Sequence, residues 1–335
     1  MQLFPGRISR QSKDLYHVLT KCGEITAEVS GKLRYEADNP VRFPAVGDEV
    51  LLDREDNIEG NAMIHQILPR KSLFVRKAAG TSNTVQVIAA NIDTVFICMS
   101  LNRDFNLRRL ERYLAIAWDS GATPVVVLTK SDLCEDIEAR LTEVGSVAIG
   151  ADVLVTNALE REGYEAIEPY LRTGETIAFI GSSGVGKSTL INRLTGIDLL
   201  AVGELRDDDR GRHTTTMREL ISLPGGCFVI DTPGMRELGL ESGDLSRTFS
   251  DIEDLAENCK FRDCRHEAEP GCAVQEAIRA GCLEKSRLES YKKLQKEIGY
   301  DGLNSRQIEA EKIETMFAEF GGIKNARNFV KNKRR

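Results

Sequence analysis

Between positions 181 and 189 the chain reads Gly181-Ser182-Ser183-Gly184-Val185-Gly186-Lys187-Ser188-Thr189, a glycine-rich run closed by a lysine and two hydroxyl residues. Glycines at this spacing let the backbone curl until successive N–H groups point inward, and a helix beginning at the lysine adds its positive end. Such a loop suits the phosphates of a nucleotide. Lys187 would reach the β and γ phosphates, and Ser188 would hold Mg²⁺. The apolar run TIAFI precedes the loop and the helix-like run STLINRL follows it, which is the context this motif requires.

Three further motifs decide what kind of nucleotide the loop serves. Asp231-Thr232-Pro233-Gly234 follows the apolar run CFVI and begins 44 residues after Lys187. From there Asp231 can enter the Mg²⁺ shell through water, and the Gly234 amide can touch a γ-phosphate. Between the two lies Gly211-Arg212-His213-Thr214-Thr215-Thr216, in a polar stretch that opens near Asp207. This segment suits a switch that orders only around γ-phosphate and Mg²⁺, with one threonine hydroxyl completing the metal shell. Thr215 is preferred to Thr214 for that task. Earlier in the chain, Thr129-Lys130-Ser131-Asp132 ends the run PVVVL. The Asp132 carboxylate can accept from the N1 and N2 donors that guanine has and adenine lacks, while the Lys130 stem covers the purine face. Thr129 stands where asparagine is usual in GTPases, which predicts weaker support for this loop.

A K-x-D run after a strand occurs by chance, and the order of the motifs makes the set specific. The base reader ordinarily follows the phosphate loop, whereas here Asp132 precedes Gly181 by 49 residues. A sheet held by ladder hydrogen bonds and packed faces tolerates such a rotation, provided the old ends can be joined. The chain then leaves the nucleotide domain just after Gly234, so that switch movement can pull on whatever follows. Met235 stands where many GTPases carry a water-orienting glutamine, and a thioether cannot align or deprotonate water. His213 is the candidate replacement, because its imidazole can accept a proton near neutral pH.

A second constellation lies further on. Cys259-x₄-Cys264-x-His266-x₅-Cys272 gathers three thiols and an imidazole within 14 residues. Soft and borderline ligands in that number fit one tetrahedral Zn²⁺ in a closed structural site, with no position left for a reactive water. Cys98 and Cys227 fall in apolar runs and read as small buried groups, and Cys282, outside the metal spacing, reads as core. The amino terminus has no apolar secretory core, so cytoplasmic residence is expected and the eight cysteines do not suggest a disulfide framework.

These residues need elements to position them. At 335 residues the chain has room for two or three domains, at roughly 100–200 residues each. Residues 1–70 read as short strands (DLYHVLT, ITAEVS, DEVLLD, NAMIHQIL) broken by turn residues, for which a small β-barrel is the economical fold. Residues 71–240 alternate apolar strands with helical stretches, the pattern of an α/β domain on a mainly parallel sheet. From 241 to 335 helices dominate, with Leu288, Tyr291, Leu294 and Ile298 forming a packing stripe, and a basic tail follows from Ile323. The expected class is therefore multidomain α/β. A net charge of -7 argues against bulk coating of nucleic acid, yet residues 1–80 hold 12 basic and 11 acidic side chains and residues 241–335 hold 18 of each. The flanks are thus better placed than the centre to approach RNA. No apolar run nears the ~18 residues of a membrane span.

The ordered set TKSD, GSSGVGKST, GRHTTT and DTPG, with the cysteine-histidine spacing, resembles the ribosome small-subunit-dependent GTPase A family (RsgA, also called YjeQ), circularly permuted GTPases of late small-subunit assembly. The resemblance spans nearly the whole chain. It implies an oligonucleotide-binding fold for the amino-terminal barrel, contact with ribosomal RNA, cytoplasmic action, and slow hydrolysis stimulated by the small subunit. It also points to His213 as the catalytic residue. GTP or GDP, Mg²⁺, one Zn²⁺ and the small subunit are the expected ligands and partners, for a chain expected to be monomeric. A GTP-gated RNA-binding scaffold with incidental hydrolysis is the alternative, and the K-x-D element and permuted order argue against a small-substrate kinase or ATPase. Replacing the Asp132 carboxylate by a carboxamide in Asp132→Asn should shift preference from GTP to XTP, whose C2 oxygen accepts instead of donating. Paired affinity measurements check this, and an unchanged preference for GTP would remove Asp132 as the base reader.

Overall fold

The structure, a computed structural model, describes residues 2–12, 14–77, 85–157, 163–196, 218–231 and 244–299, with only the backbone given for Lys77 and Asp231. Five strands arise from the amino-terminal stretch: β1 (Phe4–Ser12), β2 (Leu15–Thr20), β3 (Gly23–Val29), β4 (Glu49–Leu52) and β5 (Ala62–Ile67), with helix α1 (Gly31–Glu36) between β3 and β4. They pair in the order β1-β2-β3-β5-β4 and close through β1–β4, all antiparallel except β3–β5. Alternate residues point inward, and Ile8, Val18, Ala27, Val50, Leu52 and Ile64 fill the barrel. A methyl group at Gly6 would lie 2.5 Å from Val18 Cγ1, so only glycine lets β1 cross so near its neighbours.

Strand β1 is the one barrel strand that sequence pattern does not show, and its double duty explains why. Residues Phe4–Arg7 pair with β4, the register shifts between Ile8 and Arg10, and Arg10 then pairs with Glu219 of the central sheet. A bulge of this kind turns a strand from one partner to the next. Because the strand serves two partners along one edge, Pro5, Gly6, Arg7 and Arg10 stand where a simple strand would alternate apolar and polar.

The next stretch opens with an antiparallel ribbon of β6 (Leu73–Lys77) and β7 (Val85–Ala90). There follow β8 (Thr94–Ser100), α2 (Leu107–Ser120), β9 (Thr123–Thr129), α3 (Ile137–Gly145), β10 (Asp152–Val155), β11 (Thr176–Ile180), α4 (Lys187–Thr195), β12 (Glu219–Ser222) and β13 (Phe228–Asp231). The sheet order is β10-β9-β8-β11-β13-β12, parallel throughout except for β12, and β12 pairs onward to β1. Strands β8 and β11 are buried over their whole length, which is why they read as unbroken apolar runs. Successive residues of β8 alternate between two cores: Val95 and Ile97 pack with Leu114 of α2, while Phe96 and Cys98 pack with Phe179 and Leu190.

Among the described residues, the carboxy-terminal unit holds three helices: α5 (Ser250–Ala256), α6 (Ala273–Arg279) and α7 (Lys285–Gly299). Leu288, Tyr291 and Leu294 form the expected buried stripe, with Ile298 partly buried beside them. Cys98 and Cys227 are buried as expected, but Cys282 is exposed and not core. The reversal between α6 and α7 explains this: Gly281 adopts a φ of +75°, Cys282 N–H caps the Ala277 carbonyl at 2.9 Å, and Leu283 takes the inward place. Two arginines dock the outer units on the central sheet. Arg7 donates to Thr176 Oγ1 and lies 5.1 Å over the Phe228 ring, and Arg287 of α7 donates to the buried Glu111 of α2 at 2.9 Å. No helix among the described residues is long and apolar enough to cross a membrane.

Candidate nucleotide and metal sites

The carboxyl ends of β8, β9, β10 and β11 meet along one edge of the sheet, where open α/β sheets place their ligands. From β11 the chain turns through Gly181, Gly184 and Gly186, all at positive φ (143°, 74° and 99°), and enters α4 at Lys187. Gly181 also presses on β8, where a Cβ would stand 2.4 Å from the Cys98 carbonyl oxygen. Lys187 folds back over the loop, and its Nζ donates to the carbonyls of Gly181 (2.8 Å) and Ser182 (2.6 Å). Ser182, Ser183, Ser188 and Thr189 are half-buried and Val185 is buried, so the hydroxyls line the edge while the valine packs beneath.

At the end of β9, Thr129 is buried and its hydroxyl donates to the Val185 carbonyl at 2.6 Å. Sequence reasoning expected threonine to support the loop less well than asparagine. The threonine hydroxyl ties the TKSD turn directly to the phosphate loop. Lys130 then adopts a left-handed conformation (φ 57°, ψ 45°) that non-glycine residues hold only when their surroundings impose it. A turn of 3₁₀ helix, Ser131–Leu133, follows and leaves Asp132 exposed at the edge of the site.

Thr156 and Asn157 were not anticipated. They follow β10, and the Thr156 amide donates to the Leu128 carbonyl at 2.8 Å while its own carbonyl accepts from the Ser131 amide at 3.4 Å. Both are buried, and the Asn157 amide donates to the Gly163 carbonyl at 2.7 Å. Their signal in the sequence was positional, two polar residues at the carboxyl end of a parallel strand. Asp231 ends β13, adjacent to the phosphate-loop strand through the β11–β13 pairing. His213, Thr214, Thr215, Gly234, Met235 and the basic tail lie outside the described residues.

The four metal-ligand candidates converge. One ligand atom from each of Cys259, Cys264, His266 and Cys272 fits within 4.8 Å of the others. His266 Nδ1 lies 3.5 Å from Cys272 Sγ and 3.7 Å from Cys259 Sγ, and those two sulfurs are 3.9 Å apart. Tetrahedral Zn²⁺ with Zn–S of ~2.3 Å and Zn–N of ~2.0 Å demands edges of about 3.5–3.8 Å, so the donor set fits that ion. Burial pushes the His266 pKa down and so favours the neutral, ligating imidazole. Burial raises the Cys259 thiol, but the Val274 and Ala273 amides more than offset this and hold its pKa below the usual value. A second layer fixes the turn. Gln275 Nε2 donates to the His266 carbonyl at 2.8 Å, holding a residue whose φ is 55°. Amides of Glu267, Arg265 and Ala268 donate to the Glu269 carboxylate and bring its pKa down to about 2.

A phosphate loop between β11 and α4, bonded to a base-reading turn that comes earlier in the chain, defines a circularly permuted P-loop nucleotide-binding protein. The model of the RsgA GTPase family matches residues 67–241. Small ribosomal subunit biogenesis GTPase RsgA 2 of Lactiplantibacillus plantarum is 54% identical over 329 residues, 98% of this chain and 92% of that one. Among solved structures, YjeQ from Thermotoga maritima is similar with a TM-score of 0.66 at 26% identity, over 88% of this chain and 98% of that one. YloQ, a circularly permuted GTPase, gives a TM-score of 0.62 at 25% identity, over 89% of this chain and 96% of that one. The chain belongs to the RsgA GTPase family.

Thr129→Val keeps the side-chain volume but removes the donor to Val185. It should cost about 1–3 kcal/mol of stability and speed release of bound GDP. Thermal unfolding with stopped-flow release of a fluorescent GDP checks this, and release at the wild-type rate would show that the bond does not support the site.

Proposed function

We propose that this chain hydrolyses GTP to GDP and phosphate during late assembly of the small ribosomal subunit, in the cytoplasm. The observation that carries the reading is the Thr129–Val185 hydrogen bond, which joins guanine-reading and phosphate-binding elements into one site. The membership of the chain in the RsgA GTPase family supports the subunit as partner.

In this reading Thr129, Lys130, Ser131 and Asp132 bind the base, with Asp132 accepting from guanine N1 and N2. The loop Gly181, Ser182, Ser183, Gly184, Val185, Gly186, Lys187, Ser188 and Thr189 wraps the phosphates, and the Lys187 ammonium leaves the Gly181 and Ser182 carbonyls to reach the β and γ oxygens. Asp231 would approach the Mg²⁺ shell through water, and the Gly234 amide would touch the γ-phosphate. Ser188 and Thr215 would hold Mg²⁺, which supplies charge neutralisation at the β and γ phosphates. His213 takes the place of the missing glutamine: its imidazole orients the attacking water and accepts its proton. Cys259, Cys264, His266 and Cys272 would hold one structural Zn²⁺ that pins the carboxy-terminal unit. The domains follow as 1–70 for RNA contact, 71–240 for GTP, and 241–335 for zinc and the basic tail.

Purified protein should contain close to one zinc per chain, and Cys264→Ser should lose both metal and thermal stability of the carboxy-terminal unit. Elemental analysis and calorimetry decide it; a variant that keeps both would show that the cluster is not a zinc site. GTP turnover should be slow alone and rise on adding small ribosomal subunits, and co-sedimentation should be stronger with a non-hydrolysable GTP analogue than with GDP. His213→Ala should bind GTP normally and lose most turnover. No stimulation and equal sedimentation in both nucleotide states would refute the partner, and wild-type turnover in the variant would refute the role of His213.

A further inference from the structure

Helix α2 touches both the phosphate loop and the carboxy-terminal unit. At its amino end Arg109 donates 2.6 Å to Ser182 Oγ and 2.7 Å to Asp104 Oδ2, while Ser182 Oγ donates 2.8 Å to the same carboxylate oxygen. Ser182 is therefore held from two sides, by this ring through its side chain and by Lys187 through its carbonyl. Two residues along the helix, Glu111 is fully buried and accepts from Arg108 at 2.5 Å and from Arg287 at 2.9 Å. Arg287 also binds the Asp251 carboxylate at 2.6 and 2.8 Å and the Thr248 carbonyl at 2.8 Å, with its guanidinium 4.7 Å over the Phe249 ring. Arg112 pairs with Glu297, and Arg108 reaches Glu284 at 3.6 Å.

Helical geometry explains how one element serves both. Residues 108, 111 and 112 fall on one face, at i, i+3 and i+4, while 109 is turned about 100° from 108. The shared face meets α7 and Glu284 just before it, and the turned residue meets the loop. Between these contacts the helix is packed on the sheet through Leu110, Leu114 and Ile116.

We propose that Arg109 and Asp104 are positioning residues for the phosphate loop, and that α2 transmits their response to α7. Filling the loop and docking the carboxy-terminal unit then become one coupled equilibrium. This rests on the guanine-nucleotide reading of the site. A bound phosphate draws Lys187 away from the Ser182 carbonyl, so that Ser182 passes from the lysine to the phosphate while its side chain stays in the Asp104–Arg109 ring. Whatever displacement follows is delivered to a rigid helix whose other face carries the buried Glu111–Arg287 pair. Coupling of this kind is reciprocal for binding and commonly amounts to about 5–150-fold. This route is distinct from a pull along the chain after Asp231, because it runs through side chains that precede the phosphate loop.

The test uses the full-length protein, with hydrogen exchange followed across Lys285–Gly299 with and without a non-hydrolysable GTP analogue, together with release rates of fluorescent GDP. In wild type the nucleotide should change protection of α7. Arg109→Ala should still bind nucleotide yet lose that change, and Arg109→Lys, which keeps one donor, should restore part of it. From the other end, Glu111→Gln should alter GDP release about fivefold or more although it touches no nucleotide-binding residue. Arg112→Gln, outside the buried pair, gives a smaller shift in the same direction and serves where Glu111→Gln does not fold. Nucleotide-independent α7 protection in a wild type that binds GTP would overturn the coupling alone. An Arg109→Ala protein that responds like wild type would overturn the positioning role, and a wild type that binds no guanine nucleotide would overturn the functional reading together with the coupling.

Discussion

The hydrogen bond from the Thr129 hydroxyl to the Val185 carbonyl, 2.6 Å long between residues 56 apart in sequence, fixes how the two halves of the nucleotide site face each other. Both donor and acceptor sit over the end of β8, the strand between β9 and β11. Gly181 presses on the Cys98 carbonyl from one side, and the Leu101 amide takes the Thr129 carbonyl from the other at 2.9 Å. A site built by three neighbouring strand ends depends on their place in the sheet and not on their order along the chain. Rotation of the motif order is therefore structurally neutral at the site itself. Its effects appear where the chain enters and leaves the sheet.

Those entry and exit points explain the larger architecture. The edge strand β12 is antiparallel to β13 and would expose an unpaired backbone edge, but Arg10 of β1 pairs with Glu219 and covers part of it. The same strand β1 closes the barrel against β4. The GRHTTT motif precedes β12 in the sequence, so the barrel is bonded to the strand that follows this motif. The carboxy-terminal unit is attached at a different place, on α2, through a buried ion pair whose partners sit 176 residues apart. Burial works against the Arg287 charge, and the Asp251 and Glu111 carboxylates offset this enough to raise its pKa above the usual value.

The carboxy-terminal unit has a small core, centred on Phe249, Ile252, Val274, Leu288 and Tyr291, and it borrows Ala115 from α2. Units of this size bury little apolar surface and commonly need a covalent or metal staple. The Cys259, Cys264, His266 and Cys272 cluster lies on this core, with Cys272 capping α6 by accepting from the Gln275 amide. Cys272 is therefore both a candidate metal ligand and the residue that starts α6.

The sequence by itself showed the residues from which the proposed chemistry is built. The glycine-rich loop, the TKSD turn and the cysteine-histidine spacing are local patterns, and each is legible because a short segment must supply its own backbone shape and ligands. The buried runs of β8, β9 and β11 were legible for a related reason: strands covered on both faces have no polar side to interrupt them. Only the tertiary structure decided the rest. Strand β1 was invisible because its residues answer to two different sheets. The value of Thr129 depended on a carbonyl 56 residues away, and Thr156 joined the TKSD turn only once β10 lay beside β9. Cys282 was misjudged as core because its exposure is set by the turn between two helices. Likewise, the contacts of Arg109 and Glu111 could not be read from the helical pattern of α2, since their partners, Ser182 and Arg287, are brought to it by the sheet and by the docked unit. Pairwise contacts across long stretches of chain leave no local pattern, and those contacts are what connect the nucleotide site to the flanking units.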